Sequence, residues 1–168
     1  IYTPGYKVRI TVPAFSQEEA RDKLARYLNG MYHPTRLRDL PSEVTFRAIR
    51  QNRSFDCGGF GRKGVSLTHP GGAIGYSIQV DGQKLCYMTD TAPFARPGEG
   101  VSAGEEPTAA EQRVTDFLRG ANAVIYDTMY DLEEYLEKMT WGHSYPEYAQ
   151  AICKAADVEH LILFHHLP

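Results

Sequence analysis

The residues of this chain that could do chemistry are histidines and aspartates placed where predicted strands end. His69 closes "VSLTH", Asp90 follows "LCYMT", Asp127 closes "AVIYD", and the apolar run "HLILF" leads into His165 and His166. In α/β folds, ligand sites gather at the ends of strands. Imidazole nitrogen and carboxylate oxygen are ligands that suit Zn²⁺, Mn²⁺ or Fe. Because no thiolate accompanies them, the sequence predicts a catalytic rather than a structural metal site.

Each of these residues also has a simpler explanation when it is taken alone. A single histidine at a strand end is usually a hydrogen-bonded surface residue, and an aspartate followed by threonine usually caps a turn. A further candidate, His143, stands just before Ser144, which with Glu147 predicts the start of a helix. The metal-site hypothesis depends on these side chains converging.

Alternating residues, short apolar runs and the Asp81-Gly82 hairpin signal predict the strands that would position the candidates, and capping residues predict the helices. The predicted strands are 6–12, 43–49, 64–68, 73–80, 85–89, 123–127 and 160–166. The predicted helices run from Ser16 to Leu28, from Thr108 to Arg119, through "DLEEYLEKM", and from Ser144 to Ala156. Strands and helices alternate in the later half, which is typical of an α/β fold. On a strand, His166 would point opposite to His165, so only one of the two would reach the site.

The glycine-rich stretch "QNRSFDCGGFGRKG" contains a literal G-x-G-x-x-G from Gly59 to Gly64. A dinucleotide-binding motif needs a helix directly after it, whereas "VSLTH" follows here and alternates like a strand. We therefore interpret the stretch as a flexible connection between strands.

Length and composition set broad limits on the protein. A chain of 168 residues with 42% hydrophobic and 23% charged residues fits one globular domain, residues 1–168. Residues 92–107 are rich in Gly, Pro and Glu, which predicts a flexible loop. No apolar run is long enough to span a membrane. Three widely spaced cysteines predict reduced thiols and a cytoplasmic location. The start at Ile1 suggests a fragment or processed product.

Charge is unevenly distributed along the chain, although the net charge is only −3. Residues 1–63 carry a balance of +6, and residues 64–168 carry a balance of −9. An acidic half that holds most of the histidines suits cations better than nucleic acid.

A family resemblance rests on "LTHPGGAIGYSI", "LCYMTDTAP", "VIYDTMY" and "WGHSYPEYAQAICKAADVEHLILFHHLP". These motifs resemble the later half of a metallo-β-lactamase-fold hydrolase, in the ribonuclease Z-like and phosphodiesterase-like branch. The resemblance covers residues 64–168 well and residues 1–50 more loosely. It implies an αββα sandwich whose N-terminal strands are missing from this chain. The family's H-x-H-x-D-H motif, which supplies most of the metal ligands, is absent from these 168 residues.

Roles for individual residues follow from matching the motifs. The resemblance implies that His69, Asp90 and His165 are metal ligands, with Asp90 bridging two divalent ions. Zinc is the expected metal, with manganese or iron as alternatives. His143 takes the place of the proton-donating histidine, and Asp127 that of an acidic residue that orients it or acts in catalysis.

The expected activity is hydrolysis of a small phosphodiester by a metal-activated hydroxide, with His143 as the general acid. This activity is expected of the complete protein, and these 168 residues alone are expected to be inactive. Lactam or thioester substrates would use the same metal chemistry. The expected partners are a small substrate, neither a membrane nor a long nucleic acid, and a homodimer is compatible with the chain. The alternative is a non-catalytic metallo-β-lactamase-like sensor or interaction module. A serine hydrolase is disfavoured because no G-x-S-x-G motif occurs.

Overall fold

The chain contains two compact units, Ile1–Gln51 and Asn52–Pro168. A computed structural model describes residues 1–49, 54–57 and 60–166. Both units mix helices and strands, which confirms the predicted α/β class. The assignment of residues 1–168 to a single domain stays a prediction.

The first unit is a β-α-β arrangement. Strands β1 (Lys7–Pro13) and β2 (Glu43–Ile49) pair in parallel, and helix α1 (Gln17–Tyr27) lies between them in sequence. The side chain of Ser16 accepts a hydrogen bond from the backbone N–H of Glu19, the cap that the sequence predicts. A short 3₁₀ helix, Leu37–Asp39, precedes β2.

The second unit is built on a six-stranded sheet in which the strands lie side by side in chain order. The strands are β3 (Ser54–Cys57), β4 (Phe60–Leu67), β5 (Ala73–Val80), β6 (Gln83–Met88), β7 (Ala123–Asp127) and β8 (His160–Phe164). Neighbours from β3 to β6 are antiparallel, whereas β6, β7 and β8 are parallel. The parallel strands point their C-terminal ends towards one edge of the sheet.

The glycine-rich stretch is only partly as predicted. No helix follows it, as expected, but 54–57 and 60–67 are strands rather than a flexible connection. The glycines do not prevent this because ladder hydrogen bonds use backbone atoms alone, and Gly61 pairs with both Asp56 and Gln79. The rest of the predicted connection, 51–53 and 58–59, lies outside the described residues.

Helices α2 (Ala109–Leu118) and α4 (Pro146–Ala155) bury their apolar sides with the sheet in one core. The short helix α3 (Leu132–Glu137) follows β7. Thr108 and Glu111 form the capping box that the sequence predicts. The predicted cap of α4 is wrong, because its N-cap is Tyr145 and Ser144 lies one residue earlier.

On β6 and β8, the face of the sheet that points away from the core shared with α2 and α4 is only partly covered. Tyr87 is 36% exposed, Ile162 46% and Phe164 44%. In the described part of the chain, every helix is too short or too polar to cross a bilayer.

Two parts of the segment 92–107 are ordered by burial or local structure. Ala92 and Pro93 are buried, and a 3₁₀ helix forms at Gly100–Ala103. The flexibility of this loop stays a prediction.

Candidate metal and acid–base site

Four side chains converge at the C-terminal edge of the parallel strands. Ligand atoms of Asp90, Asp127, His143 and His165 all lie within 4.8 Å of one another. Asp90 follows β6, Asp127 is the last residue of β7, and His165 follows β8. Because these strands are parallel neighbours, their ends bring together residues that are 75 positions apart in sequence. The structure therefore brings four of the predicted site residues together, and their roles stay predictions.

Two of the four residues have left-handed backbone conformations. Asp90 has φ +58° and His165 has φ +68°, a region that non-glycine residues rarely adopt. At these positions the chain turns away from the strand direction. The expected alternation of His165 and His166 is therefore wrong, because β8 ends at Phe164 and neither histidine belongs to the strand.

The carboxylate of Asp127 is fully buried and accepts hydrogen bonds on both oxygens. Oδ2 accepts from the backbone N–H of Thr91 at 3.0 Å and lies 2.8 Å from Nδ1 of His143. Oδ1 accepts from the backbone N–H groups of Met129 at 3.2 Å and Ser144 at 3.4 Å. A carboxylate offers about four acceptor positions, so these contacts occupy all of them. This arrangement suits a residue that holds His143 rather than one that binds a metal directly.

His143 lies between three aromatic rings and is 12% exposed. Its ring centroid is 4.8 Å from that of His165, 5.4 Å from that of His69 and 5.9 Å from that of Tyr130, each in an edge contact. The carboxylate of Asp127 is an acceptor, so Nδ1 of His143 carries the proton in the 2.8 Å hydrogen bond. Nε2 is then the atom that can exchange a proton with a bound molecule.

His69 lies beside the cluster but is not one of its four members. Its Nδ1 is 2.8 Å from the carbonyl oxygen of Pro70. A carbonyl can only accept, so Nδ1 donates and Nε2 keeps a free lone pair. That is the tautomer a metal-binding histidine uses when a backbone carbonyl orients it.

Sequence reasoning missed Gly142, which sets the distance between the two histidine segments. It has φ +92°, and a Cβ placed there would lie 2.6 Å from Cδ2 of His69 and 2.5 Å from Cδ of Pro70. Only glycine therefore lets the chain before His143 approach His69 so closely. The dipeptide Gly142-His143 carries this signal, but only the fold shows what the glycine approaches.

The residues present fit a cation. Nδ1 of His165 is buried without a hydrogen-bond partner among the residues the structure describes. It lies 3.5 Å from Oδ1 of Asp90 and 3.6 Å from Oδ2 of Asp127, too far for hydrogen bonds. If this buried nitrogen carries a free lone pair, a divalent ion can bind to it, and the two nearby carboxylates can bind the same ion. Imidazole and carboxylate together are a donor set suited to zinc or iron.

The second unit is thus an α/β unit with a carboxylate–imidazole cluster at its strand ends, a set of side chains that could hold a metal ion. A family model described as the beta-lactamase superfamily domain matches residues 9–166, and the chain belongs to this family. This confirms the metallo-β-lactamase fold implied by the sequence motifs.

Solved structures share the same fold at low sequence identity. Human tRNase Z, short form, has a TM-score of 0.67 at 18% identity, covering 96% of this chain and 61% of that one. The metallo-beta-lactamase fold protein YhfI from Bacillus subtilis has a TM-score of 0.63 at 16% identity, covering 95% of this chain and 51% of that one. Unliganded yeast PDE1 has a TM-score of 0.63 at 12% identity, with 96% and 49% covered. No curated protein sequence matches the chain.

The chain therefore spans about half to three fifths of the length of these structures. The similarity to these structures establishes the fold.

Proposed function

We propose that the intact protein is a metal-dependent hydrolase of phosphodiester bonds in which His143 donates a proton to the leaving group. The observation that carries this proposal is the 2.8 Å contact between Nδ1 of His143 and the buried carboxylate of Asp127. It lies next to Asp90 and His165, whose donor atoms are within 4.8 Å of both residues. A proton donor and a cation-binding cluster are the two parts that such a hydrolysis needs.

His69, Asp90 and His165 are the residues of this chain that would hold metal, with Asp90 able to bridge two ions. A bound divalent cation supplies Lewis acidity to the phosphoryl group and lowers the pKa of bound water. Zinc is the metal we propose, since two of the three donors are imidazoles.

Asp127 acts on His143 rather than on the substrate. Its four acceptor positions are occupied by three backbone N–H groups and by Nδ1 of His143. The carboxylate therefore fixes the ring orientation through Nδ1 and leaves Nε2 as the atom that can exchange a proton with a bound molecule. A histidine suits this role because its proton exchanges readily near neutral pH. Asp127 is thus a positioning residue.

We propose a small phosphodiester as the substrate. Two structural neighbours are named as a tRNase Z and a PDE1. Residues 64–168, which carry the site, have a charge balance of −9. A long polyanion would be repelled by such a surface, whereas a small diester meets only the local field of the site. A cytoplasmic location agrees with the free thiols of Cys86 and Cys153.

The test is to assay the full-length gene product, loaded with zinc, against a panel of linear and cyclic phosphodiesters. Asp90→Ala is expected to remove both bound metal and turnover. His143→Ala is expected to retain metal and to slow turnover by about 100-fold or more, the usual effect of losing a general acid.

His160→Ala is the matched control, because His160 is an exposed histidine at the opposite end of β8. It is expected to behave as the wild type. Metal-loaded protein that hydrolyses no diester in the panel would favour the non-catalytic module instead. Normal turnover by the His143 variant would remove that residue from the mechanism.

A further inference from the structure

A cleft of about 580 Å³ lies in the unit that carries the candidate site. The loop 92–97 forms one wall, the start of α2 forms another, and Thr68, Glu99, Tyr135 and Met139 also line the cleft. Pockets that bind small organic molecules have volumes of about 300–1,000 Å³. The cleft is therefore large enough for one.

The two chain segments that carry His69 and Asp90 of the candidate site also contribute residues to the lining of the cleft. Thr68 lines the cleft and directly precedes His69, and Ala92 lines it two residues after Asp90. The backbone N–H of Ala92 donates to the carbonyl of Thr68 at 2.7 Å, which holds the two segments together. Successive Cα atoms are about 3.8 Å apart, so the cleft borders the segments that carry His69 and Asp90.

Two walls of the cleft are fixed by the same buried pair of side chains. The hydroxyl of Tyr148 accepts from the backbone N–H of Phe94 at 2.9 Å and donates to Oε1 of Glu111 at 3.1 Å. Oε2 of Glu111 accepts from the backbone N–H of Thr108 at 2.9 Å. Phe94 belongs to the loop wall and Thr108 to the helix wall. The cleft is therefore held open without a ligand.

The lining is largely apolar and carries one basic and one acidic residue, Arg96 and Glu99. Phe94, Tyr135 and Met139 offer aromatic and thioether surface, and Arg96 is the one basic residue in the lining. Arg96 is exposed, and no ion pair of its guanidinium occurs within 1–49, 54–57 and 60–166. The lining carboxylate, Glu99, accepts from the backbone N–H of Arg96 at 3.4 Å. In a region with a charge balance of −9, an unpaired arginine beside an apolar wall suits an anion joined to an apolar body.

We propose that this cleft binds the non-reacting part of the substrate, an aromatic group that carries a second anionic group paired with Arg96. The substrate class is then an aryl-type phosphodiester with a peripheral acid group. This inference rests on the proposed function only in calling the occupant a substrate. The binding itself needs neither metal nor turnover.

The experiment is a titration of the 168-residue chain with phenyl phosphate in the presence of EDTA, followed by the backbone amide NMR signals. Signals of Ala92, Phe94, Ala95 and Arg96 and of 108–110 are expected to shift and saturate; Pro93 and Pro97 have no amide N–H. Arg96→Gln is expected to weaken binding about tenfold, the effect of losing one charged hydrogen bond. Arg113→Gln is the matched control, because it removes the same charge from α2 at a residue outside the lining of the cleft. The guanidinium of Arg113 donates a hydrogen bond to the carbonyl oxygen of Ala109 in the same helix.

Inorganic phosphate and phenol, titrated separately, are each expected to bind more weakly than phenyl phosphate. Equal affinity of the wild type and Arg96→Gln would overturn the inference, as would shifts confined to other residues. Binding of inorganic phosphate as tight as that of phenyl phosphate would also overturn it, because the apolar wall would then contribute nothing.

The two proposals fail in different ways. If phenyl phosphate binds as expected but the full-length protein hydrolyses no diester, the proposed function fails and the cleft remains a binding site. If aryl diesters are hydrolysed with the same KM by the wild type and Arg96→Gln, the cleft inference fails and the proposed function stands.

Discussion

Nδ1 of His143 lies 2.8 Å from Oδ2 of Asp127, and the Asp127 carboxylate is completely buried. These residues are 16 positions apart, one at the end of β7 and the other in the segment before α4. Three backbone N–H groups also donate to the same carboxylate. The pair therefore joins the sheet edge, the loop after β6 and the segment before α4 at one point.

Asp127→Asn should destabilise the fold by about 1–3 kcal/mol, the usual cost of an unsatisfied buried polar group. An amide NH₂ would replace an acceptor and would face a backbone N–H or Nδ1 of His143. Urea unfolding measures the effect. Asp81→Asn is the control, because Asp81 is an exposed turn residue with φ +49°, which asparagine also adopts. Equal stability of the two variants would contradict the hydrogen-bond assignment.

Gly142→Ala should separate the rings of His69 and His143. The added Cβ would lie 2.6 Å from Cδ2 of His69, and φ +92° is unfavourable for alanine. Gly120→Ala is a matched control, since Gly120 has φ +68° and open space around the added Cβ. Both variants should lose about 1 kcal/mol from backbone strain.

NMR distances between the two imidazole rings distinguish these variants. The contact, with centroids 5.4 Å apart in the structure, should weaken only in Gly142→Ala. An unchanged contact in that variant would show that Gly142 does not set the ring separation.

Tyr148→Phe should destabilise the fold by about 1–3 kcal/mol. Its hydroxyl links the Phe94 N–H to the buried carboxylate of Glu111, and the variant leaves both without that partner. Tyr87→Phe is the control, because Tyr87 is 36% exposed and its loss of a hydroxyl should change the free energy of unfolding by less than about 0.5 kcal/mol. Thermal or urea unfolding of both variants gives the comparison, and equal losses would refute the role of the link.

Stability should fall as pH rises above about 9. Burial raises the pKa of the Cys153 thiol from 9.0 to about 12, and burial also raises the pKa of Cys86. In the unfolded chain these thiols lose their protons near the ordinary value, so alkaline pH favours the unfolded state. The contribution is fully present below pH 9 and is lost as pH rises towards 12, at up to about 1.4 kcal/mol per pH unit for one group.

Urea unfolding between about pH 8 and pH 11 measures this slope. Cys153→Ala should flatten it even though the variant is less stable at every pH. Parallel curves for the wild type and the variant would mean that Cys153 does not titrate on unfolding.

Much of the fold could be predicted from the sequence because its signals are local. Alternation located β1 and β2, the Asp81-Gly82 hairpin signal located β5 and β6, an apolar run located β7, and the Thr108–Glu111 capping box located α2. The segment with Gly59 and Gly61 was misjudged, since backbone pairing with β5 forms strands there despite a weak side-chain pattern.

The site was predictable only in part. The positions of Asp90, Asp127 and His165 after parallel strands follow from the α/β pattern. The four acceptor contacts of Asp127 and the close approach of Gly142 to His69 depend on how distant loops pack, and no local pattern contains that information. The turn at His165 was missed for the same reason, because apolar residues predict where β8 runs but not where it stops.

The central claim is that Asp90 and His165, with His69 beside them, can bind a divalent ion. Isothermal titration of zinc into the 168-residue chain, compared with His165→Ala and His160→Ala, tests it most directly. Weak binding is expected, because these 168 residues lack the H-x-H-x-D-H ligands. It should weaken at least about tenfold in His165→Ala and stay unchanged in His160→Ala. Equal zinc affinity in all three proteins would contradict the account. Tight stoichiometric binding would show that the chain supplies more metal ligands than the three assigned to it.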